Sequence, residues 1–545
     1  MRKPVFITGE EAAAMIADNA TVATIGMTLV SAAETILKAI EQRFLETGSP
    51  RGLTLVHSCG QSDRDRGIQH FAHETMLSRI IGGHWGLQPR MMQLIADNKI
   101  LAYCIPQGQF AQLYRSMAGG EPGKITKVGL GTFIDPRIDG GKMNEITMSA
   151  PDISEVVTIG GEEYMRYKPI PLDYCIIRGT YVDEYGNLTT DEEAMQLEVF
   201  SAVMACKKFG GKVLAQAKYK VKAGSLHCKR VIVPGVFIDA VVICPNPEED
   251  HRQTHSFYMD PAYCGDTKAP VSSDDVLPIS LRKVIGRRAL MELAPDDVLN
   301  VGTGIPNDVV GPIITEEGMS EDVTITVESG IYGGIPMGGI DFGIARNQFA
   351  LVRHDDQFDY YNGPGVDVTY MGAGEVDAQG NVNATCLGPK PTGAGGFIDI
   401  TTNAKHVVFC SSFTAKGLDC SFEGGRLHIN QEGSLIKFVN QIKQVSYNGK
   451  IAREKDQKMH YVTAKSILSG SNGMNLYRGC THGCIYCDSR STCYGMDHAF
   501  EDIEVKINGP ELLEQALRRR RKRCMIGTGA MCDPYMPAER SLGLT

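Results

Sequence analysis

Ten residues recur 194 positions apart. "YVDEYGNLTT" (Tyr181–Thr190) returns as "EVDAQGNVNA" (Glu375–Ala384), each following an apolar run and each carrying V-D-x-x-G-N. The Gly-Asn pair suits a tight turn between strands. A second pair keeps the same order: "DNATVATIG" (Asp18–Gly26) and "DDVLNVGTG" (Asp296–Gly304) both set an acidic turn before a strand and a glycine. Two matches in the same order predict two related lobes. Between these marks, short β-branched runs alternate with helical patterns. "TVATIG" precedes a helix over about 31–46 and then "LTLVHS"; "EEAMQLEVFSAVMACKKFG" leads into "KVLAQAKY". This alternation predicts open α/β lobes built on parallel sheets covered by helices. The Pro-, Asp- and Ser-rich stretch 246–278 lacks periodicity and reads as the linker between a first lobe, 1–245, and a second, 279–463. Residues 464–545 differ in composition: from Tyr461 onward there are 11 Lys+Arg against 9 Asp+Glu, a net of +2, whereas the whole chain carries −9.

That negative balance argues against a nucleic-acid or anionic-membrane partner. No apolar run reaches the 18 or more residues of a membrane helix, and "MRKPVFITGEEAAAMIADNA" lacks the apolar core of a secretory signal. The expectation is a cytoplasmic protein. Ten of the 16 cysteines are scattered singly before position 480 and read as buried thiols; the other six crowd into 480–532.

The most informative segment for chemistry is "VTITVESGIYGGIPMGGIDFG" (Val323–Gly343). A β-branched run ends in Glu328, followed by small residues. The carboxyl ends of strands line the ligand crevice of an open α/β fold, and a carboxylate there can serve as a covalent nucleophile. The local pattern alone also fits a turn carboxylate paired with a surface lysine. "NVGTGIPNDV" (Asn300–Val309) is a strand-to-helix turn with Gly302, Gly304 and Pro306. It reads either as a plain tight turn or as one presenting N–H groups to a phosphate or amide ligand. It is not a dinucleotide fingerprint, because Asn307 occupies the third glycine position.

The segments "HFAHETMLSRIIGGHWG", "KVGLGTFIDPRIDGGKMN", "IIRGTYVDEYGNLT", "KVIGRRALMEL", "ITVESGIYGGIPMGG", "FDYYNGPGVDVTYMGAGEVDAQGNVN", "GPKPTGAGGFIDIT" and "FCSSFTAKGL" occur in this order up to about Thr463. Together they resemble family I coenzyme A transferases, most closely the propionate/acetate group. The resemblance implies two related open α/β lobes of that type, acyl-CoA and short-chain carboxylates as substrates, and a homo-oligomer. It implies Glu328 as nucleophile, attacking a short-chain acyl-CoA such as acetyl-CoA or propionyl-CoA and passing through a glutamyl-CoA thioester in ping-pong fashion. It places Gln107 at the acyl site, Gly395 and Gly396 of "TGAGGFIDI" against the CoA or the anhydride, and Gly302 and Gly304 at the pantetheine or pyrophosphate. Lys416 reads either as a contact to a CoA phosphate or as a solvated surface lysine. His84 and Trp85 read as packed, structural residues. One departure stands out. Family members carry Gly-Phe after the first strand, where this chain has Gly26-Met27, so the acyl pocket is expected to differ in shape.

The tail contains "GMNLYRGCTHGCIYCDSRS", in which Cys480, Cys484 and Cys487 have C-x-x-x-C-x-x-C spacing. Three thiolates can hold three irons of a [4Fe–4S] cluster. The stretch resembles the spore photoproduct lyase-like branch of radical SAM proteins, which implies S-adenosylmethionine on the fourth iron; a zinc knuckle or free thiols are the alternatives. Only 58 residues follow Cys487, enough for about two β/α units at ~30 residues each. The tail therefore reads as a truncated β/α fragment of a partial barrel, fused to the transferase and not competent for radical chemistry. "RRRRKR" (Arg518–Arg523) reads as the solvated end of a helix. The second lobe is expected to leave apolar surface uncovered near its end. Two rival readings are a radical SAM protein with an accessory N-terminal region, and an inactive CoA-binding remnant.

Overall fold

The computed structural model describes residues 3–270, 276–388, 390–456, 459–469, 473–480, 500, 502–520, 525–528 and 544. The chain forms two compact units, Met1–Asn448 and Gly449–Thr545.

The first unit contains two open sheets. The larger runs in the order Val5–Ile7, Ala240–Ile243, Lys212–Val221, Tyr174–Asp183, Thr21–Thr24, Leu53–His57, Leu77–Gly82, Leu101–Cys104, with every pair along this path parallel. Strands such as Leu53–His57 are buried at every residue, as sheets covered on both faces require. The helix expected over 31–46 is Glu34–Thr47. The helical pattern ending at Gly210 forms a helix only from Val199 to Lys208; residues 192–197 are irregular, so Glu198 stands at the helix N-terminus. The second sheet has the order Ala350–Leu351, Ile331–Tyr332, Thr324–Val327, Val298–Val301, Val368–Gly372, His406–Cys410. Its last four strands are parallel, and Ile331–Tyr332 returns antiparallel along Thr324–Val327.

The repeat seen in the sequence is a repeat of hydrogen bonds. Asp183 Oδ1 accepts from the N–H groups of Tyr185 and Asn187, both at 2.9 Å, and Asn187 Nδ2 donates to Oδ2 at 3.0 Å. Asp377 accepts from Gln379 N at 3.0 Å, Asn381 N at 2.9 Å and Asn381 Nδ2 at 3.0 Å. Gly186 and Gly380 take φ of 87° and 77°, the left-handed region that these turns need.

The lobes meet along the helices Gln107–Gly119 and His354–Asn362. Arg115 donates to Asp355 at 3.0 Å and to Asp356 at 2.6 Å, and it also pairs with Asp359. Asp399 joins the second lobe to the start of the first helix, accepting from Gly108 N at 3.0 Å and Gln109 Nε2 at 2.8 Å. Gly108 allows this close approach: a Cβ there would stand 2.0 Å from Phe358 Cδ1. Gly108→Ala is expected to destabilise the protein by about 1–3 kcal/mol, the usual cost of overpacking, read as an earlier urea midpoint. An unchanged midpoint would show that the two helices yield at this contact.

Near the end of this unit Phe413, Ile436 and Phe438 are exposed by 75%, 63% and 51%. Phe413 and Phe438 pack against each other with ring centroids 5.1 Å apart and planes tilted by 41°.

In the second unit Met459–Val462 pairs parallel with Ile503–Lys506, and Tyr477–Arg478 pairs antiparallel with the same strand. Ile467, Leu476, Tyr477, Ile503 and Val505 form a small core. The helix Gly509–Arg518 ends in exposed Arg518, Arg519 and Arg520, the solvated helix end expected of the basic run. Cys480 is buried and donates its N–H to Phe500 O at 2.9 Å. Cys484 and Cys487 lie outside the described residues. Among the described residues no helix is long and apolar enough to cross a membrane.

Candidate active site

Glu328 stands one residue past the strand Thr324–Val327, at the turn into Ile331–Tyr332. The turn closes through Gly330 N donating to Val327 O at 3.0 Å. Gly330 has φ of 108°, and a Cβ there would meet Val352 O at 2.0 Å, so only glycine lets the chain turn this sharply beneath the carboxylate. Burial moves the Glu328 carboxyl above its ordinary pKa, with His354 and the Gln107 hydrogen bond pulling the other way.

Glu328 opens into a cleft of about 1060 Å³. This exceeds the ~300–1,000 Å³ of ordinary small-molecule pockets, as a long ligand requires. Residues from both lobes line it, and it brings together Glu328, Gln107, Gly302, Gly304, Gly395, Gly396 and Lys416, every site residue expected of the first unit. Met27 lines it too.

The contacts refine what each residue offers. Gln107 Nε2 donates to Glu328 Oε1 at 3.1 Å and lies 3.0 Å from His354 Nε2. Gly396 gives the Glu328 carboxylate room: a Cβ there would be 2.6 Å from Glu328 Oε2. Gly396 N–H makes no hydrogen bond among the described residues and remains a donor at the cleft wall. The N–H of Gly395 is not such a donor, because it is spent on Gly83 O at 2.8 Å, although the residue still lines the cleft. Gly302 likewise lines the cleft with its N–H already donating to Tyr370 O at 2.8 Å. Gly304, at φ 83°, keeps an N–H without a partner among the described residues. Lys416 is exposed at the cleft and makes no ion pair among the described residues, whereas Arg282 pairs with Asp308 across the rim.

His84 is packed and also reaches the cleft. Trp85 is fully buried and donates to His57 Nε2 at 3.1 Å, but His84 lines the cleft. Its ring fits between Gly60 and Gly86, where added Cβ atoms would stand 2.8 and 2.5 Å from it. Gly86 N donates to Nδ1 at 3.3 Å, which leaves the proton on Nε2, and burial lowers the pKa to about 4. His84 is a neutral donor at neutral pH.

Three further residues stand behind Gln107 without any signal in the sequence. His354 begins its helix fully buried, with Nδ1 2.7 Å from Glu198 Oε2. Glu198 also accepts from Ser58 Oγ. Cys59 Sγ lies 3.8 Å from His354 Nε2. Burial works against a charged Glu198, but His354 and Ser58 outweigh it and hold the carboxyl low. Burial also works against a charged His354, and Cys59 and Glu198 outweigh it upward. Burial raises Cys59, which is therefore a thiol. Behind Gly108, Asp399 is pushed up to about 7 by burial.

A two-lobed α/β unit with a lone glutamate at the floor of a long inter-lobe cleft defines a class of acyl-group enzymes that bind an extended ligand, and the comparisons with known proteins agree. The family model described as "Coenzyme A transferase" matches residues 6–243. The chain is 39% identical to the caffeate CoA-transferase of Acetobacterium woodii over 474 residues, 86% of this chain and 90% of that one. It is 38% identical to the acetate CoA-transferase YdiF of Escherichia coli K12, over 86% and 87% of the two chains. The crystal structure of the YdiF apoenzyme from E. coli O157:H7 superposes with a TM-score of 0.78 at 37% identity, covering 83% of this chain and 85% of that one. A thioester complex of YdiF with CoA superposes at 0.77 and 35% identity, covering 87% and 90%. The chain belongs to the coenzyme A transferase family and is a CoA-transferase.

Proposed function

We propose that this enzyme exchanges CoA between a short-chain acyl-CoA, of which acetyl-CoA and propionyl-CoA are the reference cases, and a short-chain carboxylate, through a glutamyl-CoA thioester on Glu328. One observation carries the reading: a partly buried carboxylate at the floor of a long cleft, with a side-chain N–H donor on one oxygen and a glycine opposite the other.

Oε2, the oxygen facing Gly396, attacks the thioester carbonyl. The carbon–sulfur bond breaks, giving an acyl-glutamyl anhydride and CoA thiolate. The thiolate then attacks the Glu328 carbonyl and breaks its bond to the bridging oxygen, releasing the carboxylic acid as its anion and leaving glutamyl-CoA. A second carboxylate reverses the two steps. One thioester replaces another, so little free energy separates the states, and a dry cleft protects both intermediates from hydrolysis. Negative charge develops on the Glu328 oxygen beside Gln107 Nε2, where a preorganised donor has most effect. Gly396 N–H, Gly304 N–H and the Lys416 ammonium are the groups left over for the anhydride, the pantetheine and a CoA phosphate. The names of the relatives support a carboxylate acceptor, and Met27 in the cleft is the residue we assign to acyl-chain preference.

Incubation with acetyl-CoA followed by borohydride should reduce the thioester, and peptide mass mapping should place the modification on Glu328. A protein that turns over acyl-CoA but yields an unmodified Glu328 peptide refutes the covalent route. The homo-oligomer expected of the family belongs to the same proposal and is read by sedimentation. For the tail we propose a truncated radical SAM-type segment without catalytic activity; 5′-deoxyadenosine formed after anaerobic iron and sulfide loading would overturn it.

A further inference from the structure

The proposed route needs Gln107 to present its nitrogen, not its oxygen, to Glu328. The two ends of a side-chain amide have almost the same shape, so packing cannot choose between them; only hydrogen-bond partners can. The terminal atom of Gln107 that touches Glu328 Oε1 at 3.1 Å also touches His354 Nε2 at 3.0 Å. His354 Nδ1 is in turn 2.7 Å from Glu198 Oε2, and Ser58 Oγ donates to the other oxygen of that carboxylate.

Two proton arrangements of equal net charge fit these contacts. In the first, Glu198 and Glu328 are carboxylates and His354 is neutral, its proton on Nδ1 and donated to Glu198. The Nε2 lone pair then accepts from the Gln107 amide, whose second N–H donates to Glu328. The Cys59 thiol, also turned toward Nε2, fits a lone pair there. In the second, only the tautomeric proton of the neutral imidazole has moved, from Nδ1 to Nε2. A bare Nδ1 then faces the Glu198 carboxylate, and the amide must turn over, setting its oxygen 3.1 Å from Oε1 of the Glu328 carboxylate. Both contacts set lone pair against lone pair, so the Glu198 carboxylate selects the first arrangement.

We propose that Glu198, His354 and Gln107 form a positioning relay in which the Glu198 carboxylate fixes the His354 tautomer, the tautomer fixes the Gln107 amide, and the amide presents Glu328 as a carboxylate. Glu198 and His354 touch neither substrate nor the reacting atoms. They come from different lobes, so the relay is complete only when the lobes are docked. The charged groups around His354 are Glu198, Glu328 beyond Gln107, and Asp399 on the helix Phe397–Asn403, with the Cys59 thiol alongside. The two tautomers hold the same number of protons, so solvent pH does not choose between them. A further proton on His354, which burial opposes and the Glu198 carboxylate favours, would make Nε2 a donor and turn the amide over. Parental activity should therefore fall as pH drops through the His354 pKa. The inference rests on Glu328 as nucleophile, so every measurement below is made beside the unmodified enzyme: an unlabelled Glu328 there sinks the covalent reading itself, whereas a failure confined to the variants sinks only the relay.

Glu198→Gln keeps the shape but removes the charge. With its oxygen held by Ser58, the new amide donates to His354 Nδ1, drives the proton to Nε2 and turns Gln107 the wrong way. Formation of trapped glutamyl-CoA is expected to slow by about 30- to 100-fold, within the range for groups that orient a reacting side chain. KM for acyl-CoA should stay within about threefold, because the cleft walls are untouched, and no change of pH between 6 and 9 should restore the rate. His354→Leu is expected to lose as much as Glu198→Gln. His354→Gln, which retains an acceptor near the Nε2 position, should recover at least about tenfold over His354→Leu. Cys59→Ala should remain within about threefold of the parent, since the thiol stands outside the relay. Rates near the parent in folded Glu198→Gln, or equal rates in the two His354 variants, would overturn the proposal. Should the variants fail to fold, ¹⁵N-histidine spectra of the unmodified enzyme decide. An Nδ1–H imidazole whose Nε2 signal moves on conversion of Glu328 to the thioester supports the relay, and the absence of any such response refutes it.

Discussion

Glu328→Gln is expected to lose acyl transfer by roughly 10⁴-fold or more, the scale on which removal of a covalent nucleophile acts, while the protein folds normally. The substitution preserves the contact at Oε1, because a glutamine oxygen can still accept from Gln107 Nε2 at the observed 3.1 Å. What it removes is the second carboxylate oxygen, the one facing Gly396, and with it the lone pair that forms the anhydride. The measurement is steady-state exchange between acetyl-CoA and propionate, paired with borohydride trapping. A variant that exchanged CoA at the parental rate would end the nucleophile assignment. The parent should also show ping-pong kinetics, with parallel lines in double-reciprocal plots.

Gly396→Ala should cost about 10²-fold in kcat, the scale of a nucleophile displaced by about 1 Å. The backbone at Gly396, φ −82° and ψ −2°, is one any residue adopts, so the fold should accept alanine without strain. The methyl group, however, would stand 2.6 Å from Glu328 Oε2 and 3.2 Å from Phe358 Cζ. Phe358 is fully buried between the two lobes, so the carboxylate is the group that must move. An intact melting temperature with a collapsed kcat is the expected pair of results. Equal activity in the alanine variant would mean that the carboxylate has another working position, and the geometry proposed for attack would fail.

These two residues differ in how visible they are along the chain. Glu328 follows a β-branched run and precedes small residues, a local pattern that marks a strand end. The same is true of the Asp183 and Asp377 turns, whose closing hydrogen bonds span two to four residues and could be read in advance. The glycine turns were legible as turns but not as donors. Whether the N–H of Gly302 or Gly395 is available depends on Tyr370 and Gly83, partners supplied by other segments. The place of His84 at the cleft was hidden for the same reason: its two glycine neighbours in space, Gly60 and Gly86, include one from a distant loop.

The linear order of residues was enough to indicate the α/β class, the repeated turns and the strand end that carries the proposed nucleophile, because each rests on periodicity or on interactions between near neighbours. The company that acid keeps was decided only when the lobes docked. Glu198 meets His354 across 156 residues and Gln107 meets His354 across 247, and a hydrogen bond at such separation leaves no pattern in either segment, since its geometry is set by the packing of helices that the intervening chain brings together.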